Sequence, residues 1–415
     1  MDNAVLIIIV GILVLHFVFD NYLEYLNAKR WSPKLPDELA GIFDEEKYQK
    51  SQQYARDKRR LGFISGSFSF LLILAMLVTG GFGVLDQMIR QYTTHPVWLA
   101  LLFFGIIGLV ADLLSTPFDI YRTFVIEEKY NFNRSTRRTY VLDKLKGWML
   151  SLVIGGGLLA VFVWFYQEAG KLFWVYAWVA FAAFSIFMAM FYNTLIVPLF
   201  NRQQPLEKGE LRTAIETFAR QQGFRLDNIF VIDGSRRSTK ANAYFSGLGH
   251  RKRIVLFDTL IGEHTTDEVV AVLAHEIGHY KKRHTLKGMM SSLLGTGLML
   301  YLLGLFVNRP ELSYALGAGE PGFHLGLLAF GLLVAPLSLV LGILSNKMSR
   351  MYEYQADAWA AQKFRAKSLQ HALKKLSVNH LSNLRPHPAY VTVHYSHPPL
   401  LKRLKHLEKY RKEDE

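Results

Sequence analysis

The sequence predicts an α-helical integral membrane protein: seven transmembrane helices and a cytoplasmic domain that carries an H-E-x-x-H motif and a small β-hairpin or sheet. Three observations lead there. Hydrophobic residues make up 51% of the 415-residue chain and charged residues 20%, too apolar for an ordinary soluble protein or a disordered one. Seven long stretches are free of Asp, Glu, Lys and Arg, and a helix needs about 20 mostly apolar residues to cross a bilayer. The Lys and Arg residues outside these stretches alternate between rich and poor loops. Cysteine is absent, which excludes disulfides, thiolate nucleophiles and cysteine-ligated zinc, so any metal must sit on His, Asp or Glu.

The stretches are 4–19, 61–85, 97–111, 148–166, 172–200, 288–308 and 323–345. The third is short and runs into Asp112, an ionisable group that fits either a polar interior or an interfacial helix end. The first begins Met1-Asp2-Asn3, without a basic leader or a following small-residue cleavage site, and reads as an anchor rather than a signal peptide. Successive loops carry nine, one, seven, one, fifteen, one and fourteen basic residues. Because cytoplasmic loops are enriched in Lys and Arg, this pattern puts the N-terminus outside, the C-terminus in the cytoplasm and 45 of the 48 basic residues inside. It also accounts for the net charge of +14 without nucleic acid, for which no binding motif is present. The organisation that follows is a membrane domain over 1–200, with loops 20–60 and 112–147; a cytoplasmic segment over 201–285; a transmembrane hairpin over 286–345; and a cytoplasmic tail over 346–415.

Chemistry concentrates in the second and fourth of these parts. His275-Glu276-Ile277-Gly278-His279 is an H-E-x-x-H, and on a helix histidines four apart share one face, so both imidazoles can reach one ion with Glu276 beside it. Thr265 with Glu268 reads as a capping box opening that helix, and Val269, Val270, Val272, Leu273 and Ile277 supply an apolar face. A zinc hydrolase needs a third protein ligand and an open position. Glu353 is the candidate: it follows the seventh span by about as many residues as His279 precedes the sixth, so two helices continued past the bilayer would bring both to one depth. A solvated glutamate on a helix face is the bland alternative. Asp357, one turn on, is placed to accept a hydrogen bond from a ligand histidine, or is an ordinary surface carboxylate. His284, five residues after His279, reads as a solvated or interfacial histidine. Residues 242–246 and 254–257 flank Gly247-Leu248-Gly249 and read as a hairpin with a free edge; such an edge takes an extended peptide through backbone hydrogen bonds, making Asn242 and Ala243 substrate-contact candidates. The alternative is a plain sheet strand.

Further pieces make the chain recognisable. Glu128-Lys129-Tyr130-Asn131-Phe132-Asn133, Ile232-Asp233-Gly234-Ser235, Asn242-Ala243-Tyr244-Phe245, Arg253-Ile254-Val255-Leu256-Phe257-Asp258-Thr259-Leu260, the H-E-x-x-H, Glu353-x-x-x-Asp357 and His394-Tyr395-Ser396-His397-Pro398-Pro399-Leu400 occur in that order. Along nearly its whole length the sequence resembles the integral-membrane CAAX prenyl endopeptidases. The resemblance implies one Zn2+ on His275, His279 and Glu353, with Glu276 as the catalytic carboxylate, and seven helices around a large chamber. It also suggests His397 as a donor to the tetrahedral oxyanion, against a structural histidine closing a turn. The implied partners are the bilayer and a peptide or prenylated peptide. Two other functions remain open from the residues alone: a quality-control protease without prenyl selectivity, and a non-catalytic transporter or scaffold. Compact length and the lack of cysteine point to a bacterial plasma membrane, with the endoplasmic reticulum as the alternative.

Overall fold

The computed structural model describes residues 4–32, 34–223, 228–246 and 253–413. Six of its helices are long and apolar enough to cross a membrane, and a bent pair makes a seventh span. Apolar side chains such as Ile7, Leu15, Leu71, Leu152, Val153 and Leu294 are exposed on these helices, as a lipid-facing surface requires. The helices outrun the apolar stretches that predict them. Glu45–Val78 begins well before the second stretch, capped by Asp44, whose carboxylate accepts from the Lys47 amide at 2.7 Å. In consequence much of the 20–60 loop is helix. The third span, Pro96–Tyr121, runs through Asp112, whose carboxylate is held by Lys144 at 3.1 Å and by the Trp148 indole at 2.9 Å.

Two expected continuities fail. The H-E-x-x-H helix, Thr266–Lys281, does not run on into the sixth span, His284–Phe306; Arg283 between them takes a left-handed conformation, φ 58°, and redirects the chain. The seventh span is broken into Phe323–Leu333 and Ala335–Lys363, bent by 55°. Pro336 sits in the first turn of the second piece, where its missing N–H and its ring oppose helix continuation from the turn before. The second piece then continues without interruption through Glu353 and Asp357.

Outside the spans a four-stranded sheet has β1 (Gln203–Pro205), β2 (Asn228–Ile232), β3 (Ala243–Ser246) and β4 (Arg253–Phe257) in the order β1-β2-β4-β3. β3 and β4 pair antiparallel, as expected of a hairpin, and β2 joins β4 in parallel; the 247–249 turn lies outside the described residues. β3 is therefore an edge strand. The sheet packs through Ile229, Ile254 and Leu256 against Val269, Val270, Leu273 and Ile277 of the H-E-x-x-H helix. The capping box is present: Thr265 Oγ1 accepts from the Glu268 amide at 3.3 Å and Glu268 Oε2 from the Thr265 amide at 3.0 Å.

Candidate active site

The H-E-x-x-H helix lies against Ala335–Lys363 so closely that a Cβ at Gly278 would come within 3.1 Å of the Ala356 carbonyl oxygen. Glycine at this position thus sets the spacing of the two ligand-bearing helices. Across that spacing His275 Nε2 and His279 Nε2 stand 3.1 Å apart. Glu353 Oε1 is 3.3 Å from His279 Nε2, and Glu353 Oε2 is 3.5 Å from His275 Nε2. A tetrahedral zinc ion with bonds of about 2.0–2.1 Å places its ligand atoms ~3.3 Å from one another. The three measured edges bracket that value. Glu353 Oε2 is also a buried oxygen with no well-aligned hydrogen-bond donor, although the Arg403 guanidinium is 3.3 Å away. Two imidazoles and a carboxylate aimed at one point form the donor set a zinc site uses, and these residues fit the ion.

The orientation of each ligand is fixed from behind. Asp357 Oδ1 lies 2.9 Å from His275 Nδ1, so the ring presents Nε2 forward. Arg403 grips Asp357 with two donors, at 2.8 and 2.6 Å. His279 Nδ1 lies 3.1 Å from His284 Nδ1, and His284 Nε2 lies 2.9 Å from Gln355 Oε1. One set of tautomers satisfies this chain with Nε2 of His279 left free: His279 donates to His284, and His284 donates to Gln355. His284 is therefore not the solvated histidine that a continuous helix would make it. It is 4% exposed, because the turn at Arg283 swings it back under His279. Arg403, Gln355 and the role of His284 escape sequence reasoning. Arg403 is one of fourteen basic residues in the tail and carries no local mark, and a spacing of five excludes His284 only while the helix is taken as unbroken.

Burial would lower the pKa of His275, but its hydrogen bonds to the Asp357 and Glu353 carboxylates outweigh it and lift it to about 9. Glu276 is shifted the same way for another reason: burial raises its carboxyl above the usual range, opposed by His275 and His279. It makes no hydrogen bond among the described residues and borders both cavities described next.

A cavity of about 1730 Å³ reaches from the first two spans to His275, Glu276 and Glu353, and a smaller one of about 340 Å³ lies beyond. Ala243, Glu276, Glu353 and His397 line both, so the metal-type cluster stands at the neck between them. β3 threads that neck. His397 is 64% exposed, with Nε2 3.3 Å from Glu353 Oε1. The stretch that leads into β3 is tied down residue by residue. Arg237 makes a two-pronged ion pair with Asp143, at 2.8 and 2.9 Å. The Thr239 amide donates to the Phe132 carbonyl at 3.1 Å. Lys240 Nζ reaches Glu127 at 2.8 Å and the Tyr54 hydroxyl at 2.9 Å, and the Ala241 amide donates to His380 Nε2 at 3.1 Å.

Residues 24–202 match the CAAX prenyl protease N-terminal region, described as five membrane helices, and residues 205–411 match peptidase family M48. The CAAX prenyl protease 1 homolog of Arabidopsis thaliana is 34% identical over 96% of each chain. The probable CAAX prenyl protease 1 of Schizosaccharomyces pombe is 37% identical over 96% of this chain and 87% of its own. The chain belongs to the CAAX prenyl protease family. The crystal structure of S. mikatae Ste24p superposes with a TM-score of 0.93 at 34% identity, covering 97% of this chain and 99% of that one. Family and geometry agree on a multi-pass membrane metalloprotease of the H-E-x-x-H type. The transporter or scaffold alternative falls, because both halves of the chain match protease families and the His-His-Glu cluster is in place.

Proposed function

We propose that the chain hydrolyses a peptide bond near the C-terminus of prenylated CAAX-type substrates. The observation that carries this reading is the His275–His279–Glu353 cluster at the neck of a cavity continuous with the membrane spans, together with the names of the relatives. Those three side chains would hold the metal. When bound, zinc supplies Lewis-acid polarisation of the scissile carbonyl and lowers the pKa of water towards ~7. Glu276, facing the same point, takes the water proton and passes it to the departing amine; its raised pKa suits a group that must do both. The edge of β3 at Asn242 and Ala243 holds the substrate extended by strand addition. His397 donates to the oxyanion as it forms. Asp357 and Arg403 hold His275 in register, and His284 with Gln355 does the same for His279.

The loop charges support an orientation with the site on the cytoplasmic face and the N-terminus outside. The small, cysteine-free chain points to a bacterial plasma membrane, but the similar proteins of Arabidopsis thaliana and Schizosaccharomyces pombe better fit an internal membrane such as the endoplasmic reticulum; fractionation of the native host tests this. Prenyl preference is tested by comparing a farnesylated CAAX peptide with the same peptide unmodified. Selective cleavage of the farnesylated form is expected. Equal cleavage would replace this reading with that of a broad membrane quality-control protease.

A further inference from the structure

The larger cavity has an uneven charge. Lys58 sits on the helix Glu45–Val78, one turn from Tyr54, and lines the cavity with its side chain exposed to it. No carboxylate lies within ion-pair distance of its ammonium among the described residues. Its neighbour Lys240 is different, since Glu127 and the Tyr54 hydroxyl engage it fully. Both ammonium groups lie against the Tyr54 ring, at 5.1 and 5.3 Å from its centre. Arg56, Arg59 and Arg60 of the same helix line this wall too. The smaller cavity has no Lys or Arg in its lining.

We propose that Lys58 binds the C-terminal carboxylate of the peptide substrate, which makes it a determinant of specificity for a free chain end three residues beyond the cleaved bond. This rests on the reading of the protein as a C-terminal endopeptidase. The length fits. Lys240 precedes Ala243 by three residues, so the two lie no more than about 10 Å apart along the chain, the reach of a three-residue peptide end. A peptide paired along β3 with its scissile bond beside Ala243 and Glu276 therefore ends beside Lys240 and Lys58 if it runs opposite to β3. Charge favours that direction: Glu276 and Glu353 line both cavities, but the large one adds Arg56, Lys58, Arg59, Arg60 and Lys240 against Asp20 and Glu24, whereas the small one has no Lys or Arg to receive a carboxylate. Antiparallel pairing is also the better ladder. In a confined cavity an uncompensated ammonium gains more from a carboxylate than it would in open water.

The test separates binding from turnover. The full-length, zinc-loaded protein is given a farnesylated peptide ending in a free carboxylate and the same peptide ending in an amide, and both are also titrated onto E276Q, which binds without cleaving. The expected result is about tenfold weaker binding and a correspondingly higher KM for the amide, the size of one charge-assisted hydrogen bond. K58M in either background should bring the acid down to the amide's level, and K58R should keep most of the preference. Equal affinity of E276Q for acid and amide overturns the proposal, as does a preference that survives K58M. If E276Q discriminates but the wild-type protein cleaves neither peptide, the carboxylate site stands and the proposed reaction falls.

Discussion

Two buried clusters of the same residue types stand at opposite ends of the helical bundle, and they do different things. At one end Asp357, Arg403, His275 and Glu353 surround the metal-type site. At the other, Asp86 accepts from His324 at 2.8 Å and from Arg90 at 2.8 Å, and Arg90 goes on to Glu320 at 3.2 Å. Asp86 and His324 are 1% and 2% exposed. The second cluster is closed: every partner is taken, and the backbone around it is packed so tightly that a Cβ at Gly83 would overlap the carbonyl of Gly317, whose φ of 82° also calls for glycine. The first is open. Its two Nε2 atoms and a carboxylate point at each other rather than at satisfied partners, and a cavity leads to them. A His–carboxylate–Arg set is a staple when its partners are complete and a reactive centre when a position is left for something else to fill.

The sharpest way to test that contrast is to disable the open cluster chemically and leave its scaffold alone. Glu276→Gln is expected to retain one zinc per chain by elemental analysis and to lose about 10³-fold in kcat, within the range for removal of a general acid-base group. Loss of metal together with activity would make Glu276 a structural residue. Glu353→Ala should release the zinc while the helices persist by circular dichroism. Full zinc occupancy in that variant would mean that the cation is held elsewhere.

The closed cluster gives the reverse expectation. Asp86→Ala leaves the buried His324 without its carboxylate, while Arg90 keeps Glu320, and is expected to cost about 1–3 kcal/mol of stability, read as an early thermal unfolding transition, with zinc content unaltered. A zinc-deficient variant would tie this end to the site. A smaller effect is expected of Gly278→Ala, which pushes the two ligand helices apart by a few tenths of an ångström. About a tenfold loss of kcat is expected there, since small displacements of reacting groups are costly, with little change in melting temperature. Smallest should be Lys240→Met. It frees the approach to β3 from Glu127 and Tyr54, so KM is expected to rise ~3-fold with zinc retained, the worth of a single hydrogen bond.

Several of these features are legible in the sequence because they rest on short-range order. Hydropathy locates the spans, since a helix in lipid must satisfy its own backbone and present apolar side chains outward. The H-E-x-x-H helix is readable from its capping box and apolar face, and the β3–β4 pair from its flanking turn signal. Glu353 is found by a geometric argument about depth. That argument holds for the second helix, which does run unbroken from Ala335 to Lys363, and fails for the first, which turns at Arg283 before it reaches the sixth span. His284 shows the cost of that failure, because a single left-handed residue converts it from a distant side chain into the partner of His279.

By itself the amino-acid order determined the number of spans, the motif and its helix, the free strand and the residue types able to hold a metal. Each follows from periodicity or from a pattern only a few residues long, where the chain's own geometry leaves little choice. Tertiary structure alone decided that Arg403 clamps Asp357, that β2 inserts beside β4 and leaves β3 at the edge, that Glu127 and Tyr54 reach Lys240, and that Lys58 faces the cavity with no carboxylate in ion-pair contact among the described residues. These pairings join residues up to 186 positions apart. Nothing local distinguishes one lysine or arginine from another until packing brings a partner to it or leaves it without one.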